Sequence, residues 1–166
     1  MRSHRVGIST YKRLLIEHGT AQNALAALTE VARTPGAQTY AICPERVIHT
    51  EFNNGRTAGA VLIDDTSNLY PAQLRDLTDA PPFLWALVYL SPLQRPAISM
   101  IGAQNASTLG TPMVKSLTTE LGQAGYVIVS GLARGVDAAA HIAALNTGTI
   151  ALQAGGVDIM YPAENT

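Results

Sequence analysis

The chain has 166 residues, room for about one domain of ordinary size. Hydrophobic residues make up 47% and charged residues only 14%, the second figure well under a typical ~25%, which excludes a disordered, highly charged tail. Lys plus Arg number 11 and Asp plus Glu 12, so the net charge is −1 and no global basic excess announces nucleic acid.

The charge is unevenly placed. Residues 1–13 hold Arg2, Arg5, Lys12 and Arg13 with no acid, which reads as a solvated, partly frayed end. From residue 97 onward Lys115 and Arg134 stand against Glu120, Asp137, Asp158 and Glu164, a net −2. A polyanion site in this second half must therefore rest on local geometry rather than on a basic field. The single cysteine, Cys43, excludes an internal disulfide framework and a cysteine metal cluster, and reads as a small buried hydrophobe. The start, MRSHRVGISTYKRLL, is basic but has no apolar signal-peptide region. The longest apolar stretch, Phe83 to Leu90, is far short of the ~20 residues a membrane helix needs. A soluble, cytoplasmic protein with no membrane partner is the expectation.

The first stretch, to about residue 40, reads as a helical module. Tyr11, Leu14, Leu15 and His18 follow helical spacing and Gly19 fits a stop. Thr20 is placed to cap a second helix carrying Leu25, Leu28 and Val31, ended by Pro35-Gly36. Such helix pairs sometimes hold DNA backbone, and more often simply pack. Residues 44–57 suggest a further helix closing at Asn54-Gly55. Gly59 to Asp64 reads as a buried strand, Tyr70-Pro71 opens a short helix through Leu77, and Phe83 to Tyr89 is a strand rich in aromatic and β-branched residues.

From Ala97 the pattern becomes regular. Ala97 to Ile101 is a strand, followed by a loop from Gly102 to Gly110. Thr111-Pro112 is a helix start, with Thr as cap and Pro in the first position, and Met113, Leu117 and Leu121, with Val114 beside them, give an apolar face. Tyr126 to Ser130 is a strand, about Asp137 to Asn146 a helix, and Thr149 to Gln153 a strand. This order is a βαβαβ unit with parallel strands, and their continuous apolar runs fit a sheet covered on both faces. The expected class is α/β, a Rossmann-like parallel sheet at 44–166 preceded by the helical module at 1–40.

In open α/β sheets ligands sit beyond the carboxyl ends of the strands. All three of these strands end in glycine-containing loops, at Gly102, Gly131 and Gly155-Gly156, where backbone amides can approach an anion. The chain contains neither GxGxxG at these turns nor GxxxxGK[ST] anywhere, so a dinucleotide or ATP site is not expected. The most informative segment is Ser130-Gly-Leu-Ala-Arg-Gly-Val-Asp137 with His141. Ser130 offers a hydroxyl. Arg134 is suited to phosphate or base stacking, or is simply a solvated residue. Asp137 reads first as a helix N-cap. Asp137 and His141 share a helix face, which also admits an acid/base pair or two metal ligands, although no third partner is visible.

These residues carry a resemblance. SGLARGVDAAAH at 130–141 resembles the signature of the DNA-processing protein A family (DprA, also called Smf). Ala97 to Ser107 resembles the family's strand and its Gly-[Ser/Ala]-Arg-x-[Ala/Pro]-Ser loop. Asp158-Ile-Met-Tyr-Pro-Ala-Glu-Asn165 resembles its D-x-x-Y-P-x-x-N segment. Tyr70-Pro71 to Leu74 and Asp79 to Leu84 match its Y-P-x-x-L and D-x-P-P-x-L stretches. The likeness covers roughly residues 11–166.

The resemblance implies a Rossmann-like domain that binds single-stranded DNA, protects incoming strands in natural transformation and helps load a RecA-type recombinase. It implies no enzymatic activity, no cofactor and no metal. The family's DNA-binding positions fall here on Gly102, Gln104, Ser130, Gly131, Arg134, Gly135 and Asn165. Gln104 stands where the family has an arginine, so one phosphate contact loses its charge. The family's sequences also continue past the Y-P-x-x-N segment, so the resemblance implies a domain truncated after it. The five strands counted leave an edge or face uncovered, which favours a homodimer or a completing chain as partner. Two other expectations compete with DNA binding. One is a non-functional remnant. The other is a nucleotide-cleaving enzyme of a related Rossmann-like family, for which Gly155-Gly156-Val157-Asp158 lacks the needed Glu spacing.

Overall fold

The computed structural model describes residues 2–33, 41–87, 89–157 and 159. Helix α1 (Ile8–His18) ends at Gly19, whose backbone sits at φ 75° and whose N–H closes on the Leu15 carbonyl. Thr20 caps helix α2 (Ala21–Arg33) as its sequence suggests, its hydroxyl accepting the Asn23 N–H at 3.2 Å. The helix pair closes on Val6, Leu14, Ala24 and Leu28, with Tyr11 against them. Ala24 rather than Leu25 faces this cluster, and Leu25 is 45% exposed. Val31, Pro35 and Gly36 fall where no side chain is described.

The basic N-terminus is tied down rather than frayed. Arg2 donates to both carboxylate oxygens of Glu51, at 2.7 and 2.5 Å, and His4 N–H reaches the Ala41 carbonyl. Cys43 is half-buried rather than buried, its N–H held by the Ser3 hydroxyl. Helix α3 (Glu45–Thr57) brings Gly55 under the Trp85 ring, where a Cβ would lie 2.7 Å from the indole. Trp85 belongs to β2 (Phe83–Ala86), which pairs antiparallel with β1 (Val61–Asp64). Between them the short helix α4 (Ala72–Arg75) follows the buried Tyr70, whose hydroxyl donates to the Pro81 carbonyl at 2.6 Å.

After a 3₁₀ turn at Ser91–Gln94 the chain forms β3 (Ala97–Ser99), α5 (Gly110–Gln123), β4 (Val127–Ser130), α6 (Val136–Ala144) and β5 (Thr149–Ala151). The three strands are parallel in the order β3-β4-β5, the Rossmann-like arrangement read from the sequence. Among the described residues the strands therefore form two sheets: β1 and β2 make a separate two-stranded pair.

Both crossover helices pack on each other and on one face of the parallel sheet, around Ile128, Ala140, Ala144, Met100, Val114 and Leu121. This is what two right-handed crossovers running in one direction produce. The row Ser99–Val129–Ile150 alternates to the opposite face. The expected cover of both faces is thus supplied by these helices on one face. Ile150 and Leu152 instead line an open cavity of about 1230 Å³ that faces Trp85 and Leu87.

Helix α5 starts two residues earlier than Thr111-Pro112 suggests, with Leu109 in the cap position. The Ser107 hydroxyl accepts the Gly110 N–H at 3.0 Å, so the turn before Thr111 already winds into the helix. Its buried face is Val114, Thr118 and Leu121, while Met113 and Leu117 are 71% and 43% exposed. The apolar stripe is rotated by one position from the expected one.

Candidate nucleic-acid interface

The carboxyl ends of β3 and β4 carry two loops that lock into each other. Gly102 lies against Val136, where an added Cβ would sit 2.7 Å from the valine side chain. Val136 N–H in turn donates to the Ala103 carbonyl at 3.2 Å. Gly135 adopts φ 78°, ψ −119°, a conformation L residues rarely reach, and any Cβ there would overlap the carbonyl oxygens of Ala103 and Gln104. Glycine is required at 135 on both counts. The loop after β3 and the start of α6 form one rigid rim, from which the Gln104 and Arg134 side chains are exposed.

Of the residues expected at the site, Gly102, Gln104, Gly131, Arg134 and Gly135 are brought to this rim. Asn165 lies outside the described residues. Ser130 is corrected. It is 3% exposed, and its hydroxyl donates to the Met100 carbonyl at 2.6 Å, tying β4 to the end of β3 beneath the rim rather than offering itself at the mouth. A serine ending a buried parallel strand has a neighbouring strand's carbonyl within reach, and outer lone pairs must be satisfied there.

Asp137 is corrected as well. The N-cap of α6 is Gly135, and Asp137 sits in the first turn, 8% exposed. Its carboxylate folds back to accept the Ala133 N–H at 3.2 Å. The helix start is thus already served: Val136 N–H by Ala103, and the loop amide by Asp137. The exposed polar side chains of this rim include Arg134 and Gln104.

The sequence left His141 open among several roles. Its Nε2 lies 2.7 Å from the Gly131 carbonyl and its Nδ1 2.7 Å from the Thr149 hydroxyl. The Thr149 hydroxyl also reaches the Ile128 carbonyl at 3.0 Å. Both ring nitrogens are engaged, and among the described residues no three His, Cys, Asp or Glu side chains gather as metal ligands. The contribution of Thr149 was not read from the sequence; the signal was a β-branched hydroxyl at the start of a strand opposite a helix histidine.

The third glycine loop, after β5, is exposed, and Gln153 donates to the Gly156 carbonyl at 3.0 Å across it. The large cavity beside β5 is lined by Leu132, Ile150, Leu152 and Trp85 and contains neither Gln104 nor Arg134. Its largely apolar wall lies between β5 and the Trp85 side of the molecule and is distinct from the polar rim. No helix among the described residues is long and apolar enough to cross a membrane.

Comparison with known proteins places this geometry. The profile of the DNA recombination-mediator protein A family matches residues 61–166, and that of a DprA-like N-terminal HHH domain matches residues 1–53. DNA processing protein DprA of Streptococcus pneumoniae is 32% identical over 158 residues, covering 91% of this chain and 55% of that protein. DNA processing protein DprA of Bacillus subtilis is 36% identical over 113 residues, covering 66% and 38%. The X-ray structure of the Streptococcus pneumoniae protein superposes with a TM-score of 0.64 at 33% identity, over 74% of this chain and 42% of that one. The chain therefore spans about half, or less, of the length of these relatives. With the two profiles in tandem and the glycine rim in place, the chain belongs to the DNA recombination-mediator protein A family.

Proposed function

We propose that this chain binds single-stranded DNA at the rim formed by the loops after β3 and β4, with Arg134 holding backbone phosphate or stacking on a base and Gln104 hydrogen-bonding beside it. The observation that carries this reading is the interlock of Gly135 with the Ala103 and Gln104 carbonyls, which presents both exposed side chains from one rigid edge. That edge is where open α/β sheets take their ligands. The role is that of a binder rather than an enzyme: it shields strands in the cytoplasm during transformation and hands them to a RecA-type recombinase. The names of the DNA-processing relatives and of the recombination-mediator family support it.

Fluorescence anisotropy with labelled oligothymidine tests the reading. Binding is expected to be tighter to single strands than to duplex of equal length and to weaken as salt rises. Gln104→Arg restores the family's charge and is expected to tighten binding and steepen the salt slope by about one unit. Equal binding to single strand and duplex, or no effect of Gln104→Arg, contradicts it.

A further inference from the structure

Asp137 and His141 stand one turn apart on α6 and both reach back to the loop that carries Arg134, yet neither side chain belongs to the exposed rim. A carbonyl oxygen only accepts, so Nε2 of His141 carries its proton toward Gly131. With the ring proton on Nε2, Nδ1 of the neutral imidazole is the acceptor, so the Thr149 hydroxyl gives its one proton to Nδ1 rather than to the Ile128 carbonyl, and the Gly131 carbonyl is held. With both ring nitrogens engaged, His141 presents no lone pair to a metal or to a substrate proton. Asp137 holds the next-but-one residue, through the Ala133 N–H. Gly131 itself comes close to this carboxylate: an added Cβ there would lie 2.6 Å from Oδ2. On the far side of Arg134, Gly135 is fixed against the Ala103 and Gln104 carbonyls.

We propose that Asp137 and His141 are positioning residues for DNA binding: they fix the backbone before Arg134 while the β3 loop fixes it after, so that the guanidinium is aimed before a strand arrives. The proposal rests on the reading of this rim as the DNA site. Its energetic sense is preorganisation, since a loop already ordered loses less freedom on binding. The i, i+4 spacing is what places both side chains on one helix face toward one loop.

Two substitutions separate the bonds of His141. In His141→Gln the side-chain amide nitrogen falls near the place of Nε2 and keeps a donor for Gly131; in His141→Asn it falls near Nδ1 and does not. His141→Gln is expected to bind oligothymidine within about twofold of wild type, and His141→Asn about tenfold more weakly, with the salt slope lower by about one. Paired with Arg134→Ala, His141→Asn is expected to add nothing further, because it acts through the arginine. Amide hydrogen exchange at 133–136, read without DNA, is expected to quicken in His141→Asn and to match wild type in His141→Gln.

Equal behaviour of the two variants in exchange, or additive losses with Arg134→Ala, overturns the proposal. If Arg134→Ala binds as wild type does, the DNA reading of the rim fails instead, and the exchange comparison still decides whether His141 holds the loop.

Discussion

The parallel sheet has an arginine at each end, and the two differ in exposure: Arg95 is half-buried and Arg134 exposed. At the amino edge, Arg95 donates to the Thr147 carbonyl at 2.6 Å and to the Gly125 carbonyl at 3.0 Å, gathering the turns that follow α6 and α5. Those carbonyls lie just past helix C-termini, where a fixed cation is favoured. At the carboxyl edge, Arg134 is exposed, and the side chains of Asp137, His141 and Ser130 bond the backbone around it. One edge uses its cation to close the fold. The other bonds its loop backbone through Ser130, His141 and the buried carboxylate of Asp137, beside an arginine that is exposed. The contrast supports the proposed binding edge better than the count of charges does, since this half of the chain is net negative.

The comparison breaks most severely at Gly135. Gly135→Ala meets a strained backbone and two carbonyl oxygens, and is expected to cost about 3–5 kcal/mol and to abolish binding, read by thermal melting and by anisotropy. Arg95→Ala is expected to cost about 2 kcal/mol, a fall in Tm of about 5 °C, while leaving the affinity of the folded fraction for oligothymidine near wild type. A loss of affinity without a loss of stability would place function at the wrong edge.

Within the helix layer, the Thr118 hydroxyl is fully buried and has no hydrogen-bond partner among the described residues. Thr118→Val keeps the shape and removes that polar group, so an increase in stability of about 1 kcal/mol is expected, with binding untouched.

The smallest effect belongs to the N-terminal module. The Arg2 guanidinium, bonded to both oxygens of Glu51, holds that carboxyl below its ordinary value near 4.5. A depressed carboxyl stabilises fully above the unfolded value, and the contribution fades as pH falls from about 4.5 through the lower folded value. Arg2 is largely exposed, so the pair is worth well under about 1 kcal/mol. Arg2→Ala is expected to reduce stability slightly at pH 7 and to make no difference in acid; melting curves at both pH values check the sign.

Much of the fold was legible because its signals are local. Gly19 and Thr20 punctuate the helix pair, and the apolar runs at 97–101, 126–130 and 149–153 announce strands whose spacing forces parallel crossovers. Long-range choices were not legible. That β1 and β2 pair with each other in a separate sheet is a decision of tertiary packing, made where Gly55 admits the Trp85 ring. The face that α5 buries is likewise set by its packing against α6 and β4, around Val114 and Leu121.

At the candidate site, the position of Gly102, Gly131, Arg134 and Gly135 beyond the strands' carboxyl ends was readable, because the apolar runs that mark the strands stop just before them. Ser130 and Asp137 were misread for one reason: a short polar side chain beside a ligand loop satisfies the loop's own backbone first, at 2.6 and 3.2 Å here, and the sequence does not say which partner is nearer.

The central claim, that the two edges divide structure from binding, is tested most directly by the salt dependence of oligothymidine affinity for wild type, Arg134→Ala and Arg95→Ala side by side. The account predicts that Arg134→Ala lowers the slope of log affinity against log salt by about one unit, and that Arg95→Ala leaves the slope unchanged in spite of its lower Tm. An unchanged slope in Arg134→Ala, or a slope lowered equally by both, would contradict it.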